Sequence, residues 1–190
     1  MPELNKKTRY ASTIVKDHTM ALREIVTYPF PILKDTAKPV TDFGPELEKL
    51  VADMAETMYD APGVGLAAPQ INIPLQLCVI DISPKDTPRE LIVLANPKIT
   101  KGEGQEIDEE GCLSVREYSS KVPRYTKIWV EAQDINGQPL SFEAEDYYAR
   151  VIQHELDHLN GTLFIDRISS LKRTLYKKKI KKMLKAEEGK

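Results

Sequence analysis

Residues 147–159 read YYARVIQHELDHL and are followed by Asn160-Gly161. The pattern predicts a helix that stops at the Asn-Gly pair, where glycine readily ends a helix. Inside it, His154, Glu155 and His158 form H-E-x-x-H. Residues four apart lie one turn above each other, so both imidazoles can reach one metal ion. Glu155 directly follows the first histidine and can approach a water on that metal without ligating. A divalent cation brings the pKa of such a water toward roughly 7, where a carboxylate can take its proton. Packing alone explains this trio poorly, because a buried carboxylate without a partner is costly.

A catalytic site of this kind needs a third protein ligand and an open fourth position. The chain offers only two cysteines and three histidines. In the pattern H-E-x-x-H-x-x-G-x-x-H the last histidine would fall on Phe164, and a thermolysin-like ligand would need a downstream glutamate. No acidic residue lies between Asp166 and Glu187. His18 belongs to a polar N-terminal stretch, and Cys78 stands within a short apolar run, where a buried, inert thiol is expected. Cys112, in the turn-like segment EEGCLS (109–114), is left as the third ligand, and Gly111 beside it lets the backbone pass close to metal or substrate.

The rest of the chain supplies the frame. Its 190 residues, 41% hydrophobic and 29% charged, with net charge −2, fit one domain with a real core and argue against disorder. Two cysteines exclude a disulfide framework and fit a reducing compartment. The longest apolar runs, such as 91–95, are too short to span a membrane, and the overall charge does not suggest a DNA-binding surface. Residues 1–19 are expected to form a flexible extension, with Met20 an alternative start, and 20–190 a single catalytic domain. Gly44-Pro45 opens a helix whose Leu47, Leu50, Val51, Met54 and Met58 share one face, and Pro62-Gly63 ends it. Strands are expected at 76–82, 90–95, 127–134 and 138–144, the last two joined by the hairpin signal Asn136-Gly137. A third helix over 170–186 carries the apolar stripe Leu171, Leu175, Tyr176, Ile180, Met183 and Leu184, with lysines elsewhere. The order suggests α+β, with antiparallel β-sheet wrapped around the central H-E-x-x-H helix and helices at the N- and C-terminal sides. The segment GVGLAA (63–68) matches the dinucleotide fingerprint only superficially, since a helix precedes it and Pro69 follows. It reads as a backbone strip for an extended peptide, with the Gln70 amide at its end.

Three segments, GVGLAAPQ (63–70), EGCLS (110–114) and QHELDH (153–158), together resemble the signature motifs of the peptide deformylase family in order and separation. The resemblance runs over roughly 20–184. It departs at Phe30, where relatives often carry Asp, and at residues 1–19, which have no counterpart. The resemblance implies hydrolysis of the formyl group from the formyl-methionine of new polypeptides in the cytoplasm. It implies Cys112, His154 and His158 as metal ligands, Glu155 as acid/base, and Gln70 with the Leu113 N–H as donors to the formyl oxygen. The peptide would lie against Val64, Gly65 and Gly111, with Val64, Glu110, Tyr147, Arg150 and Val151 around the methionine side chain. Arg150 would contribute its aliphatic stem, and Arg124 reads either as a site-edge residue or as a surface one. Ferrous iron, replaceable by zinc or nickel, follows from the resemblance; the spacing alone suggests zinc. The lysine-rich last helix resembles a ribosome-docking element. A metallopeptidase, or a non-enzymatic ribosome-binding module with a structural metal, are the rival functions.

Overall fold

Pro45 at the first helical position and Glu46 and Glu48 in the first turn favour the start of α1 (Pro45–Asp60). In the computed structural model, which describes residues 21–189, seven strands and two further helices follow. They are β1 (Gly65–Ala67), β2 (Leu77–Ile80), β3 (Ile92–Glu103), β4 (Glu106–Cys112), β5 (Val115–Arg124), β6 (Lys127–Gln133), β7 (Pro139–Glu145), α2 (Asp146–Leu159) and α3 (Ser170–Glu188). The expected extension over 1–19, with His18, and the alternative start Met20 lie outside the described residues.

All strand pairings are antiparallel. Five strands form a sheet in the order β1-β2-β3-β6-β7, and β4 pairs with β5 as a separate ribbon. Strand alternation divides the core. Leu66, Leu77, Val79, Val93 and Ala95 pack with Leu47, Val51, Met54 and Met58 of α1. Ala67, Cys78, Ile80 and Leu94 point the other way and pack with Ile128, Val130 and the apolar face of α2. Buried on both faces, β2 is therefore a continuous apolar run, and Cys78 is fully buried within it. A third cluster, with Val115, Val122, Leu163, Phe164, Tyr176 and Ile180, joins the β4–β5 ribbon to α3. The H-E-x-x-H helix is thus central, between the sheet on one side and the ribbon on the other.

Three departures from the sequence expectation have physical reasons. β3 continues to Glu103 past Asn96-Pro97, because a register shift between Ala95 and Lys98 accommodates the proline. The ribbon over 106–124 replaces the expected turn around Cys112; Cys112 pairs with Val115 and ends β4. Four of the seven β4 residues are acidic, which hides its strand character. On α3, Tyr176 and Ile180 are buried, whereas Leu171 and Leu175 are 68% and 57% exposed. The helix packs through a seam narrower than its apolar stripe.

Candidate active site

The last turns of α2 carry His154, Glu155 and His158, and the β4–β5 turn brings Cys112 up to them. The potential ligand atoms of Cys112, His154 and His158 lie within 4.8 Å of one another. Cys112 Sγ is 3.2 Å from His158 Nε2 and accepts from the Ser114 N–H at 3.4 Å. Gln70 completes this rim. Its Oε1 accepts from the Ala67 N–H at 2.8 Å, which turns its Nε2 toward Ser114 Oγ (3.2 Å) and Cys112 Sγ (3.7 Å).

Glu110 anchors the ribbon to α2. Its Oε1 accepts from Arg124 Nε and Arg150 Nη1, both at 2.8 Å. Its Oε2 accepts from Arg124 Nη2 at 2.9 Å and lies 3.0 Å from His154 Nδ1. Arg124 also donates to Asp157 at 2.7 Å, and Arg167 closes the cluster by pairing with the same carboxylate. Burial would raise the Glu110 pKa, but the Arg124 and His154 contacts outweigh it and hold it at about 2. Glu110 is therefore a fixed anion.

Glu155 has opposite surroundings. It is 3% exposed, and its Oε2 is buried without a hydrogen-bond partner. Burial, opposed by the nearby charge of His154, pushes its carboxyl up to about 7. Gly65 makes room for it, since a Cβ there would lie 2.3 Å from Glu155 Oε1. Burial opposes protonation of His154, but the adjoining Cys112 sulfur and Glu110 carboxylate hold its basicity well above the ordinary range. Burial and the charge of His154 push His158 well below it.

One sulfur and two imidazoles suit a borderline-soft divalent cation, and three protein ligands leave a position for substrate. His154 Nδ1 is engaged by Glu110, which leaves the other ring nitrogen available to a metal, the usual arrangement of a carboxylate-oriented histidine ligand. The set therefore fits a metal ion.

The residues front a cleft of about 430 Å³. Of those expected from sequence, Val64, Gly65, Gln70, Glu110, Gly111, Cys112, Leu113, Tyr147, Arg150, Val151, His154 and Glu155 line it. His158 lies behind them, 1% exposed. Arg150 lines the cleft, but its guanidinium is spent on Glu110 and on the carbonyls of Val122 and Glu106. Arg124 is neither at the edge nor on the surface, being 4% exposed inside the ion cluster. Sequence reasoning missed Glu109 at the cleft and Ser114, Asp157 and Arg167 behind it. The aspartate inside H-E-L-D-H was the available signal, because its position on an otherwise buried helix calls for a cationic partner.

The polypeptide deformylase family model matches residues 22–174. A peptide deformylase from Desulfotalea psychrophila is 56% identical over 164 residues, 86% of this chain and 97% of that protein. One from Acidobacterium capsulatum is 51% identical over 169 residues, 89% of this chain and 99% of that protein. The crystal structure of a peptide deformylase from Legionella pneumophila superposes with a TM-score of 0.81 at 44% identity, covering 90% of this chain and 99% of that one. No described helix is long and apolar enough to cross a membrane. The chain belongs to the polypeptide deformylase family, metal-dependent hydrolases that remove the N-terminal formyl group from newly made polypeptides.

Proposed function

We propose that Cys112, His154 and His158 hold the metal of this deformylase and that Glu155 is its acid/base. The observation that carries this assignment is a buried carboxylate with one oxygen unpartnered, beside three converging ligand atoms of which those of Cys112 and His154 belong to residues lining the cleft. A divalent cation held there supplies positive charge that acidifies water and polarises a carbonyl oxygen. Glu155, with its carboxyl near 7, takes a proton from the attacking water and returns it to the leaving amine. Gln70 Nε2, pinned by the Ala67 N–H at the other end of its amide, donates to the oxygen on which charge develops, together with the Leu113 N–H. The peptide runs along Val64, Gly65 and Gly111. A Cβ on Gly111 would meet nothing within 4 Å, so the backbone there is open to a strand-like partner. Val64, Tyr147, Val151 and the stem of Arg150 surround the methionine side chain, with Glu110 holding the arginine head. Residues 20–190 act as one catalytic domain.

Ferrous iron is the proposed native ion, supported by the family resemblance; the donor set also accepts zinc or nickel. The proposed macromolecular partner is the ribosome in the cytoplasm, through α3. Lys177, Lys178, Lys181, Lys182 and Lys185 are exposed there, whereas Lys179 pairs with Glu117 and Arg173 faces Asp166. Because Tyr176 and Ile180 bury part of α3, charge reversal of Lys177, Lys181 and Lys185 is a cleaner test than truncation. Cosedimentation with ribosomes at low salt should fall in that variant, and unchanged binding would exclude α3 as the contact.

The site assignment is tested by anaerobic purification, metal analysis and formate release from a formyl-methionyl peptide. Glu155→Ala should retain metal and lose activity. Equal activity in both proteins would remove Glu155 from the mechanism.

A further inference from the structure

After α2 the chain doubles back at Gly161, whose φ is +66° and where a Cβ would lie 2.5 Å from the Lys34 carbonyl oxygen. This turn, which only glycine fits, returns Phe164 to the helix the chain has just left. Counted from His154, Gly161 and Phe164 occupy the glycine and third-histidine places of H-E-x-x-H-x-x-G-x-x-H. The turn thus sets a phenyl ring at the sequence place where that pattern would have its third histidine.

That ring meets a metal ligand. Phe164 is 1% exposed, and its centroid lies 6.3 Å from that of His154 with 26° between the planes. Tyr118 stacks with Phe164 at 6.1 Å and 12°, and Tyr176 of α3 holds Tyr118 at 4.8 Å. These separations are those of offset aromatic pairs. Two further groups restrain the His154 ring. Glu110 contacts Nδ1, and the His158 ring stands steeply inclined to that of His154, with centroids 5.0 Å apart and 73° between the planes. A contact at one nitrogen leaves the imidazole free to tilt about that contact, and a flat apolar neighbour in a close-packed interior removes this freedom.

We propose that Phe164 is a positioning residue that fixes the imidazole plane of His154 for metal binding, backed by Tyr118 and Tyr176. The inference rests on His154 being a ligand and adds how its ring is held. A purely structural Phe164 would fill core volume, and its loss would lower stability without a specific effect on the metal.

The test uses the full chain loaded with Co2+, whose visible spectrum reports ligand geometry. Chelator competition gives Co2+ affinity for the parent, Phe164→Leu, Ile165→Ala and His154→Ala, and unfolding of the metal-free proteins gives stability. Ile165 is fully buried in the same cluster, so its truncation supplies a loss of stability away from the stacked rings. Phe164→Leu should weaken Co2+ binding by about 10-fold or more and shift the visible bands, as loss of a ligand's outer support does. Ile165→Ala should keep parental affinity and spectrum. Parental binding by Phe164→Leu, or an equal loss in Ile165→Ala, overturns the inference. If Phe164→Leu does not fold, Tyr118→Leu is measured in the same way; weakened binding supports the inference and unchanged binding overturns it. His154→Ala separates the two levels. Retained Co2+ in that variant would refute His154 as a ligand, whereas its loss alongside an unaffected Phe164→Leu would refute only the positioning role.

Discussion

Two buried carboxylates border the same cleft in opposite surroundings. Glu110, on β4, accepts from Arg124 and Arg150, touches His154 and stays ionised. Glu155, on α2, keeps one oxygen without a partner and has its carboxyl raised by burial to about 7. Both line the cleft with His154, Glu110 touching its ring and Glu155 following it in the chain, so position at the site does not distinguish them. Their hydrogen-bond inventory does. An acid whose oxygens are filled by guanidinium groups is a structural strut, while one left bare in an apolar setting can exchange a proton near neutral pH. Asp53 on α1 offers a third, outlying case. Its carboxylate is buried but accepts from the Ala21 N–H and from Arg23 and Lys49, whose side chains are about four-tenths exposed.

The contrast can be broken at each of these points. Arg124→Ala should have the largest effect on stability, because it removes the buried cation that Glu110 and Asp157 share and leaves only Arg150 and Arg167 to balance the two anions. A loss of about 3–5 kcal/mol is expected in denaturant unfolding of the metal-free protein. Next comes Gln70→Ala, which removes the proposed donor to the formyl oxygen. It should lower kcat for formate release by about 10²- to 10³-fold, with metal content retained. Asp53→Asn should have the smallest effect, about 1–3 kcal/mol at pH 7, since its cationic partners remain solvated. Its sign with pH is fixed. The Asp53 pKa lies below the ordinary value, its hydrogen bonds outweighing the effect of burial, so its contribution is complete above the unfolded value of about 3.9. That contribution is lost as pH falls through the lower folded value. Parent and variant should therefore converge in stability under acid, and a difference that persists would contradict the assignment.

Much of this was legible from residues alone, for identifiable reasons. The helix with His154, Glu155 and His158 declares itself by period and by its Asn-Gly stop, and Cys112 emerges because so few alternative ligands exist. The β4 strand stayed hidden because its inward residue is a charged Glu110, which breaks the apolar alternation expected of strands. Arg124 could not be placed, since its partners Glu110 and Asp157 lie 14 and 33 residues away and only the tertiary fold unites them. Likewise, the α3 stripe gives the apolar positions but not the width of the seam, which depends on Tyr118 and Phe164 beneath it.

The division of labour between the two acids is tested most directly by comparing Glu155→Gln with Glu110→Gln, each loaded with metal anaerobically. Metal affinity and formate release from a formyl-methionyl peptide are measured on both. Glu155→Gln should bind metal as the parent does and lose about 10²- to 10⁴-fold in turnover. Glu110→Gln should bind metal about 10- to 100-fold more weakly and recover much of its turnover when saturated with it. Parental turnover by metal-loaded Glu155→Gln would contradict the assignment of Glu155 as the proton-transfer residue.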